Sequence, residues 1–370
     1  MKRRHETTRL WLARPLADGG VYAYQLHVRR AAVLDNLGRW PEATAVCREN
    51  LANAIAARDL RATAESREGL GWMLHQRGES RAAQQMLLDA AGWYESVGDS
   101  AGLSRAIGML GNTHIKLGEF DRAVACYRRK MAITESLGDE RGFAACLANL
   151  SNVHGELGDQ ALSREYAMRA FSIYQRLGDR HGLVVLMGNI GVIESVDGHD
   201  AEALSWYQRQ AVLAHELGDP LHYGAALGNM AIIMIGRHEL DQAGRFTEQK
   251  LELARGMGDR RGEAAALECL AEIAKRRGDL AAAMPLLRQA LAIQRETGYA
   301  YLLPGTLQSM AEVCFQQSRP GDARLLAEEA LELVRSFNDN KGEAALLRLL
   351  EQIDRGNTAG GAPAAAGDRG

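Results

Sequence analysis

The sequence predicts an all-α fold, a right-handed α-solenoid of about eight helix pairs followed by a C-terminal capping helix. Two observations indicate this class: apolar residues recur at the spacing of an amphipathic helix, and the same block returns every 40 residues. Residues 101–140 show the block clearly, as two amphipathic runs separated by Gly118 and closed by Gly138. Because each repeat packs only against its neighbours, such a chain grows without one central core.

Residues at equivalent positions of successive repeats, here called columns, support the register of this repeat. Glycine tolerates the left-handed backbone of a helix end, and it occupies two of the columns. The turn that closes each unit carries Gly98, Gly138, Gly178, Gly218, Gly258 and Gly298, with Arg58 and Asn338 at the extremes. The turn inside each unit carries Gly38, Gly78, Gly118, Gly158, Gly198 and Gly278, with His238 and Ser318 as substitutes. A third column is small throughout, which lets paired helices approach closely: Ala31, Gly71, Gly111, Ser151, Gly191, Ala231, Ala271 and Ala311.

The elements follow in order from these columns. Residues 1–20 are an N-terminal segment, part of which reads as a degenerate helix. Eight units follow, at 21–60, 61–100, 101–140, 141–180, 181–220, 221–260, 261–300 and 301–340. Residues 341–354 form one more amphipathic helix, which predicts a cap, and the Gly/Ala/Pro-rich residues 355–370 are expected to be disordered. Pro285 falls inside a predicted second helix, where we expect a late start or a kink.

The repeat resembles a known family. Its matching positions are Leu110-Gly111, His114, Gly118, Phe120, Ala123 and Tyr127, which stand where tetratricopeptide repeats have Leu-Gly, aromatic, Gly, Tyr, Ala and aromatic residues. The resemblance covers about residues 21–340, in the longer 40-residue form of Pins-type adaptors, kinesin light chains and bacterial regulator sensor arrays. It implies the solenoid fold and says little about the partner. Three units depart from the family with a long residue late in the second helix, and we expect them to pack more loosely against the following unit: Lys130, Gln210 and Lys250.

Composition argues against several classes of function. The net charge of −3 and the pI of about 6.4 give no electrostatic footprint for nucleic acid or for an anionic membrane. The five cysteines form no CxxC pair and fall in predicted helices, which favours packed free thiols over disulfides or metal ligation. No apolar run is long enough for a secretory signal or a membrane helix, so a cytoplasmic location is expected.

Candidate catalytic and metal-binding residues have simpler structural explanations. The string around Ser100 matches the nucleophile-elbow pattern, but that pattern needs a preceding strand and both flanks here are predicted helices. His114 and His154 share a column that matches the family's buried aromatic position. Neighbouring repeats lie ~8–10 Å apart, whereas zinc needs ligands at ~2 Å. Because no HExxH, phosphate-loop or dinucleotide motif is present either, we expect neither an enzyme nor a bound cofactor or metal.

Asparagine recurs at fixed places on the predicted first helices. Asn149, Asn189 and Asn229 share one column in three consecutive units, and Asn112 and Asn152 share another. Asparagine is a poor helix residue because its side chain competes for backbone hydrogen bonds, so its repetition needs an explanation. In the resembling families the first helices line the concave face, and such asparagines hold the main chain of a bound peptide. An amide suits this role because it offers both a donor and an acceptor. The alternative is that duplication copied asparagine onto a merely wet surface.

The sequence therefore predicts a non-enzymatic scaffold or adaptor that binds a peptide segment of a partner protein in the concave groove. Nearby groove residues would select the sequence of the partner, and the candidates are His75, Arg105, Lys116, Glu156, Glu268, Glu272 and Arg276. The alternative is a sensor array that binds a small effector or signalling peptide and switches a separate output protein. The sequence leaves the identity of the partner and the oligomeric state open.

Overall fold

The fold is an all-α solenoid. The computed structural model describes residues 30, 31, 33, 34, 40–298, 300–336 and 339–359, so the N-terminal segment 1–20 and residues 360–370 lie outside the described residues. Within the described residues the chain forms sixteen α-helices and one short 3-10 helix, and no strand. The helices divide into two compact units, with the boundary between Asp197 and Gly198.

From Trp40 onward the described part of the first unit forms eight helices, each of which packs against the next along the chain. They are α1 (Trp40–Ala56), α2 (Leu60–Gln76), α3 (Ser80–Ser96), α4 (Ser100–Lys116), α5 (Phe120–Ser136), α6 (Glu140–Glu156), α7 (Gln160–Leu177) and α8 (Arg180–Val196). The 40-residue block makes α2, α4, α6 and α8 first helices, and α1, α3, α5 and α7 second helices. The core of this unit includes the fully buried side chains of Leu87, Tyr127, Leu147 and Leu150.

The described residues of the second unit also form eight helices, together with the 3-10 turn Ala300–Leu302. The helices are α9 (Asp200–Glu216), α10 (Pro220–Gly236), α11 (Leu240–Met257), α12 (Arg260–Arg276), α13 (Leu280–Thr297), α14 (Leu303–Gln316), α15 (Pro320–Ser336) and α16 (Asn340–Ala359). Here α10, α12 and α14 are first helices, and α16 covers the last pair with a buried side that includes Leu346 and Ile353. The expectation of disorder from residue 355 is wrong for the first part of that tail, because α16 continues to Ala359. Arg355 pairs with Glu351 one turn earlier, and the first consecutive glycines come only after Ala359.

The GDxxG string that recurs between units is a capping element. Gly98 takes the left-handed conformation at φ +71°, and the Asp99 carboxylate then caps α4 by accepting a hydrogen bond of 2.8 Å from the Gly102 amide. A Cβ at Gly102 would collide with the ring of Tyr94, so the second glycine of the string is also required. Ser100 is the exposed first residue of α4 and follows helix α3, which is not the strand that a nucleophile elbow needs.

The residues that replace glycine in the turn columns adopt the conformation that glycine would. Arg58, His238 and Ser318 have φ of +56°, +61° and +58°. The predicted late start at Pro285 is wrong, because α13 begins at Leu280 with Asp279 as its cap. The proline is the sixth residue of that helix. The five residues before it form the first turn, which does not need the N–H that proline lacks.

Small residues in the first helices receive large side chains from the second helices. A Cβ at Gly111 would lie 2.7 Å from two atoms of the Tyr127 ring, so the ring packs directly on the backbone of α4. Lys130 and Lys250 likewise pack over glycines of the first helices. The Nζ of Lys130 lies 2.8 Å from where a Cβ of Gly108 would be, and the Nζ of Lys250 lies 2.6 Å from the same point on Gly228. Glycine in the first helix of the same pair thus accommodates each long side chain. The looser packing expected against the following unit stays a prediction.

Candidate functional site

The first helices present a stripe of side chains to solvent. On α4 the stripe comprises Arg105, Met109, Asn112 and Lys116, at i, i+4, i+7 and i+11, which lie on one side of a helix. Consecutive first helices pack against each other, namely α2 with α4 and α6 with α8 in the first unit, and α10 with α12 in the second. Within each unit, no two consecutive second helices of the described residues pack as closely. The solvent side of these stripes, here named the first-helix face, is therefore the inner side of each stacked unit.

Three of the asparagines share one environment. Asn149, Asn189 and Asn229 are half-buried at the same stripe position of α6, α8 and α10. Within the described residues none of their amides hydrogen-bonds another side chain. Asn152 lies close to Asn149 on α6 and is exposed. These amides retain both donors and acceptors for a bound molecule or for water.

Asn112 has a different environment. Its Oδ1 accepts a hydrogen bond of 2.5 Å from the hydroxyl of Tyr127, which joins α4 to α5. Burial raises the pKa of Tyr127 well above its usual value, so the hydroxyl remains a donor at any physiological pH. Asn112 therefore takes part in the packing of its own helix pair.

His75 belongs to the interior of the first unit. Only 7% of it is exposed, its ring stacks on Trp72 with 5.8 Å between centroids, and its Nδ1 lies 3.3 Å from the Thr113 hydroxyl oxygen. Burial, assisted by the charge of Lys116, lowers the pKa of His75 to about 4, so the ring is neutral near pH 7. Lys116 donates a hydrogen bond of 2.8 Å to the His75 carbonyl oxygen. His75 thus joins α2 to α4 and does not line the first-helix face, whereas Lys116 is exposed at the end of α4.

Arg105 forms an ion pair between α2 and α4. Its Nε donates to Glu68 Oε1 at 2.9 Å and its Nη2 to Glu68 Oε2 at 3.3 Å. Glu68 also accepts a hydrogen bond of 2.7 Å from the hydroxyl of Tyr94, and the guanidinium lies 5.8 Å from the centroid of that ring. Because Glu68 already balances its charge, Arg105 is a weaker anchor for an anionic partner than the sequence suggests.

The candidate acids differ in how far they are already paired. Glu268 is half-buried and accepts hydrogen bonds from Gln294 at 3.0 Å and from the hydroxyl of Thr306. It therefore joins α12 to α13 and α14. Glu156, at the end of α6, is exposed.

Glu272 and Arg276 form part of a charge network on α12. Arg276 Nε donates to Glu272 at 2.7 Å, and Lys275 lies 2.8 Å from Glu272 and 2.7 Å from Glu312 of α14. Burial alone would raise the pKa of Glu272, but the hydrogen bonds from Lys275 and Arg276 outweigh it and lower the pKa. The acid is ionised near pH 7 and its charge is already compensated.

Apolar residues on α8 were missed by the sequence analysis. Val185, Val192 and Val196 are 45%, 48% and 64% exposed and flank Asn189 on the same stripe. In the second unit Ile232 is 62% exposed on the stripe of α10. Reading the stripe column by column would have found them, since they occupy the positions that hold asparagine, lysine or glutamate in other units.

A polar cleft of about 500 Å³ opens on the first-helix face between α14 and α16. Its lining residues are Gln308, Glu312, Phe315, Gln316, Ala345, Arg348, Leu349 and Gln352. Its lining combines apolar side chains with amide, carboxylate and guanidinium groups, as small-molecule sites commonly do.

The histidines that invited a metal site have packing roles. His114 Nδ1 lies 2.7 Å from a Glu119 oxygen, and the ring of His154 lies 5.5 Å from that of Tyr166. Across the described ranges, no group of three or more His, Cys, Asp or Glu side chains is arranged to hold a metal ion. No described helix combines the length and the apolar composition that a membrane crossing requires.

A family model for the tetratricopeptide repeat matches residues 102–176 and 262–336. No curated protein sequence matches the chain. Among solved structures, a Rap protein complexed with Competence and Sporulation Factor is similar, with 15% identity and a TM-score of 0.55 over 91% of this chain and 99% of that one.

In two further similar structures the match covers about half of the solved chain. A Signal Transduction ATPase with Numerous Domains from Pyrococcus horikoshii, which has a tetratricopeptide repeat sensor, shares 13% identity with a TM-score of 0.57. The match covers 85% of this chain and 50% of that one, so this chain spans about half its length. The APC/C hetero-tetramer Cut9-Hcn1 shares 14% identity with a TM-score of 0.56, over 89% of this chain and 55% of that one. At these identities the likeness establishes the fold.

Proposed function

Because this chain is a tetratricopeptide-repeat protein, we propose that it is a non-enzymatic scaffold that binds an extended segment of a partner protein along the first-helix face. The observation that carries the proposal is that Asn149 and Asn189 in the first unit, and Asn229 at the same repeat position in the second unit, hydrogen-bond no described side chain through their amides. A peptide main chain repeats a donor and an acceptor at every residue, and an Asn side chain offers the complement of both. A set of such amides matches a peptide whatever its sequence.

Half-burial favours this role over that of a merely wet surface. When an exposed amide binds a ligand it gives up hydrogen bonds to water, so the net gain in free energy is small. A half-buried amide has fewer hydrogen bonds to water to give up, so its net gain is larger. Each hydrogen bond contributes about 0.5–1.5 kcal/mol net, so three asparagines supply a few kcal/mol at most. Association and ordering of the peptide cost more than that. Side chains beside the asparagines must therefore supply the rest of the affinity and the sequence preference.

The similar structures support a peptide as the ligand class. One is the Rap protein complexed with Competence and Sporulation Factor, and another is the Rap conjugation gene regulator of the plasmid pLS20 in complex with the Phr* peptide. Their likeness to this chain is one of fold, so the residues of this chain carry the proposal. None of the matches reported above points to a catalytic site in the repeats of this chain.

The test is a replacement of the three asparagines. Random dodecapeptides displayed on phage are selected against the immobilised full chain, and the enriched sequences are synthesised with a fluorescent label. We expect the combined change Asn149→Ala, Asn189→Ala and Asn229→Ala to weaken binding at least tenfold by fluorescence anisotropy. Helicity and thermal stability should change little, since these amides make no hydrogen bonds to described side chains.

The control is Asn53→Ala. Asn53 is an exposed helical asparagine on α1, a second helix, so its loss changes helix propensity without touching the first-helix face. Equal affinity of the wild type and the triple variant would overturn the assignment of the first-helix face.

A sensor array is the second candidate, supported by the tetratricopeptide repeat sensor named for the Pyrococcus horikoshii ATPase. In that role a small effector or signalling peptide would change the compactness of the chain and switch a separate output protein. A decrease in the radius of gyration by small-angle X-ray scattering on addition of a selected peptide would favour the sensor. A stable partner that co-purifies without added ligand would favour the scaffold.

A further inference from the structure

Lys130 extends from the second helix α5 across α4 to the edge of the first-helix face. Its Nζ and Cδ lie 2.8 Å and 3.2 Å from where a Cβ of Gly108 would be, so the ammonium takes the place of a side chain at position 108. Position 108 is one turn from both Arg105 and Asn112, which belong to the stripe of α4. The charge of a second helix is thereby presented beside the first-helix face.

The equivalent place one repeat earlier holds a carboxylate that is fully matched. Glu68 occupies it and pairs with Arg105 and the hydroxyl of Tyr94. Lys130 is only half-buried, and within the described residues its ammonium makes no hydrogen bond or ion pair. An electrostatic neighbour is the thiol of Cys146 on α6. The ammonium has three hydrogen-bond donors, is partly withdrawn from water and has no acceptor among the described residues. Binding of an anion there is therefore favourable.

Beside α4, the middle of the first-helix face on α6 and α8 is uncharged, and the exposed Glu156 lies only at the end of α6. The stripe of α6 carries Ala145, Asn149 and Asn152, and that of α8 carries the exposed valines around Asn189. The first-helix face of the first unit therefore changes from a cationic point between α4 and α6 to an apolar surface on α8. A ligand that complements both must carry a negative charge and an apolar group.

We propose that the first unit recognises an extended peptide in which a carboxylate side chain contacts Lys130 and a bulky apolar side chain packs on Val185 and Val192. This rests on the proposed function and adds the class of sequence that is bound. The main chain between the two anchors passes Asn149 and Asn189.

The spacing of the two anchors follows from helix packing. Packed helices lie about 10 Å apart, so the distance from the seam between α4 and α6 to α8 is about 15 Å. An extended chain covers about 3.3 Å per residue, which separates the acidic and apolar residues by about four or five positions. A free inorganic anion lacks the apolar group and would bind Lys130 weakly.

The experiment uses the phage-selected dodecapeptides and the full chain. We expect enriched sequences to share an Asp or Glu and a Leu, Ile, Phe or Met about four or five residues apart. Lys130→Met keeps the length of the side chain over Gly108 and removes only the charge, so it should weaken these peptides about tenfold. Replacing the acidic residue of the peptide by its amide should cause the same loss, and the two changes together should cost no more than either alone.

The apolar anchor and the controls are tested in the same assay. The isosteric changes Val185→Thr and Val192→Thr should weaken the peptides about tenfold without altering the effect of Lys130→Met. The matched control is Lys250→Met, since Lys250 lies over Gly228 in the same way but in the second unit, and it should leave affinity unchanged. Inorganic phosphate at millimolar concentration should not displace the peptides, and displacement would show that Lys130 takes a free anion instead.

The failure of this proposal is distinguishable from that of the proposed function. Peptides that need the three asparagines but bind Lys130→Met as well as wild type would overturn the acidic–apolar class alone. Peptides that bind the triple asparagine variant unchanged, or a selection without enriched sequences, would overturn both. A thermal melt of Lys130→Met by circular dichroism verifies that a loss of affinity does not come from unfolding.

Discussion

Gly111→Ala should destabilise the chain although alanine is the better helix former. Gly111 lies in the middle of α4 beneath the ring of Tyr127, which is fully buried and anchored by its hydrogen bond to Asn112. An added Cβ would lie 2.7 Å from two ring atoms and 3.1 Å from a third. Carbon atoms pack at about 3.5–4.0 Å, so the ring must retreat by about 1 Å.

The magnitude follows from three opposing terms. Overpacking of a core typically costs 1–3 kcal/mol, and loss of the Tyr127–Asn112 hydrogen bond adds about 0.5–1.5 kcal/mol. Replacing glycine by alanine inside a helix returns about 0.8–1.0 kcal/mol. We therefore expect the free energy of opening of α4 and α5 to fall by about 2 kcal/mol.

Hydrogen exchange is the appropriate assay, because long repeat arrays do not always unfold in one step. A loss of about 2 kcal/mol corresponds to amide exchange about 30-fold faster in α4 and α5. The control is Gly92→Ala in α3, where nothing lies within 4 Å of the added Cβ and alanine should slow exchange a few-fold. Slower exchange in both variants would refute the packing argument.

Acid should weaken the first unit at two places. Burial acts to raise the pKa of Glu119, but hydrogen bonds from His114 and two arginines outweigh it and hold the pKa at about 2. The stability that ionised Glu119 contributes is therefore complete above pH 4.5 and is lost as the pH falls toward 2. Urea denaturation at pH 7 and pH 3 measures this change in the free energy of unfolding. Glu119→Gln should remove the part of the change that comes from this residue. Burial lowers the pKa of His75 to about 4, so the neutral ring contributes its full stability above pH 6.5. This contribution is lost as the pH falls from 6.5 to 4, because the unfolded chain then binds a proton that the folded chain does not. A titration midpoint of His75 near pH 6.5 by NMR would contradict its burial. Tyr127→Phe should cost about 0.5–1.5 kcal/mol by exchange in α4, and an unchanged rate would mean that Asn112 bonds water equally well.

The helices and turns were predictable because they depend on nearby residues. Amphipathic spacing, an aspartate cap and a left-handed glycine each act within a few positions, and the repeat presents them many times over. Side-chain partners were less predictable. Arg105 forms an ion pair with Glu68, and Lys130 lies over Gly108. Both contacts join different helices. The residue type at one position does not reveal them, and only the packed arrangement of helices does.

The asparagines separate what the sequence determined from what the tertiary structure decided. The 40-residue period determined the class of fold and placed all five amides on first helices. It could not determine which of them are available, since Asn112 and Asn152 occupy the same column. Asn112 is bonded by Tyr127 in the packed second helix, whereas the equivalent residue of the next unit is Ala167, which has no hydroxyl to donate. Availability of an amide is a property of two packed helices, so it emerges only when the hairpin closes.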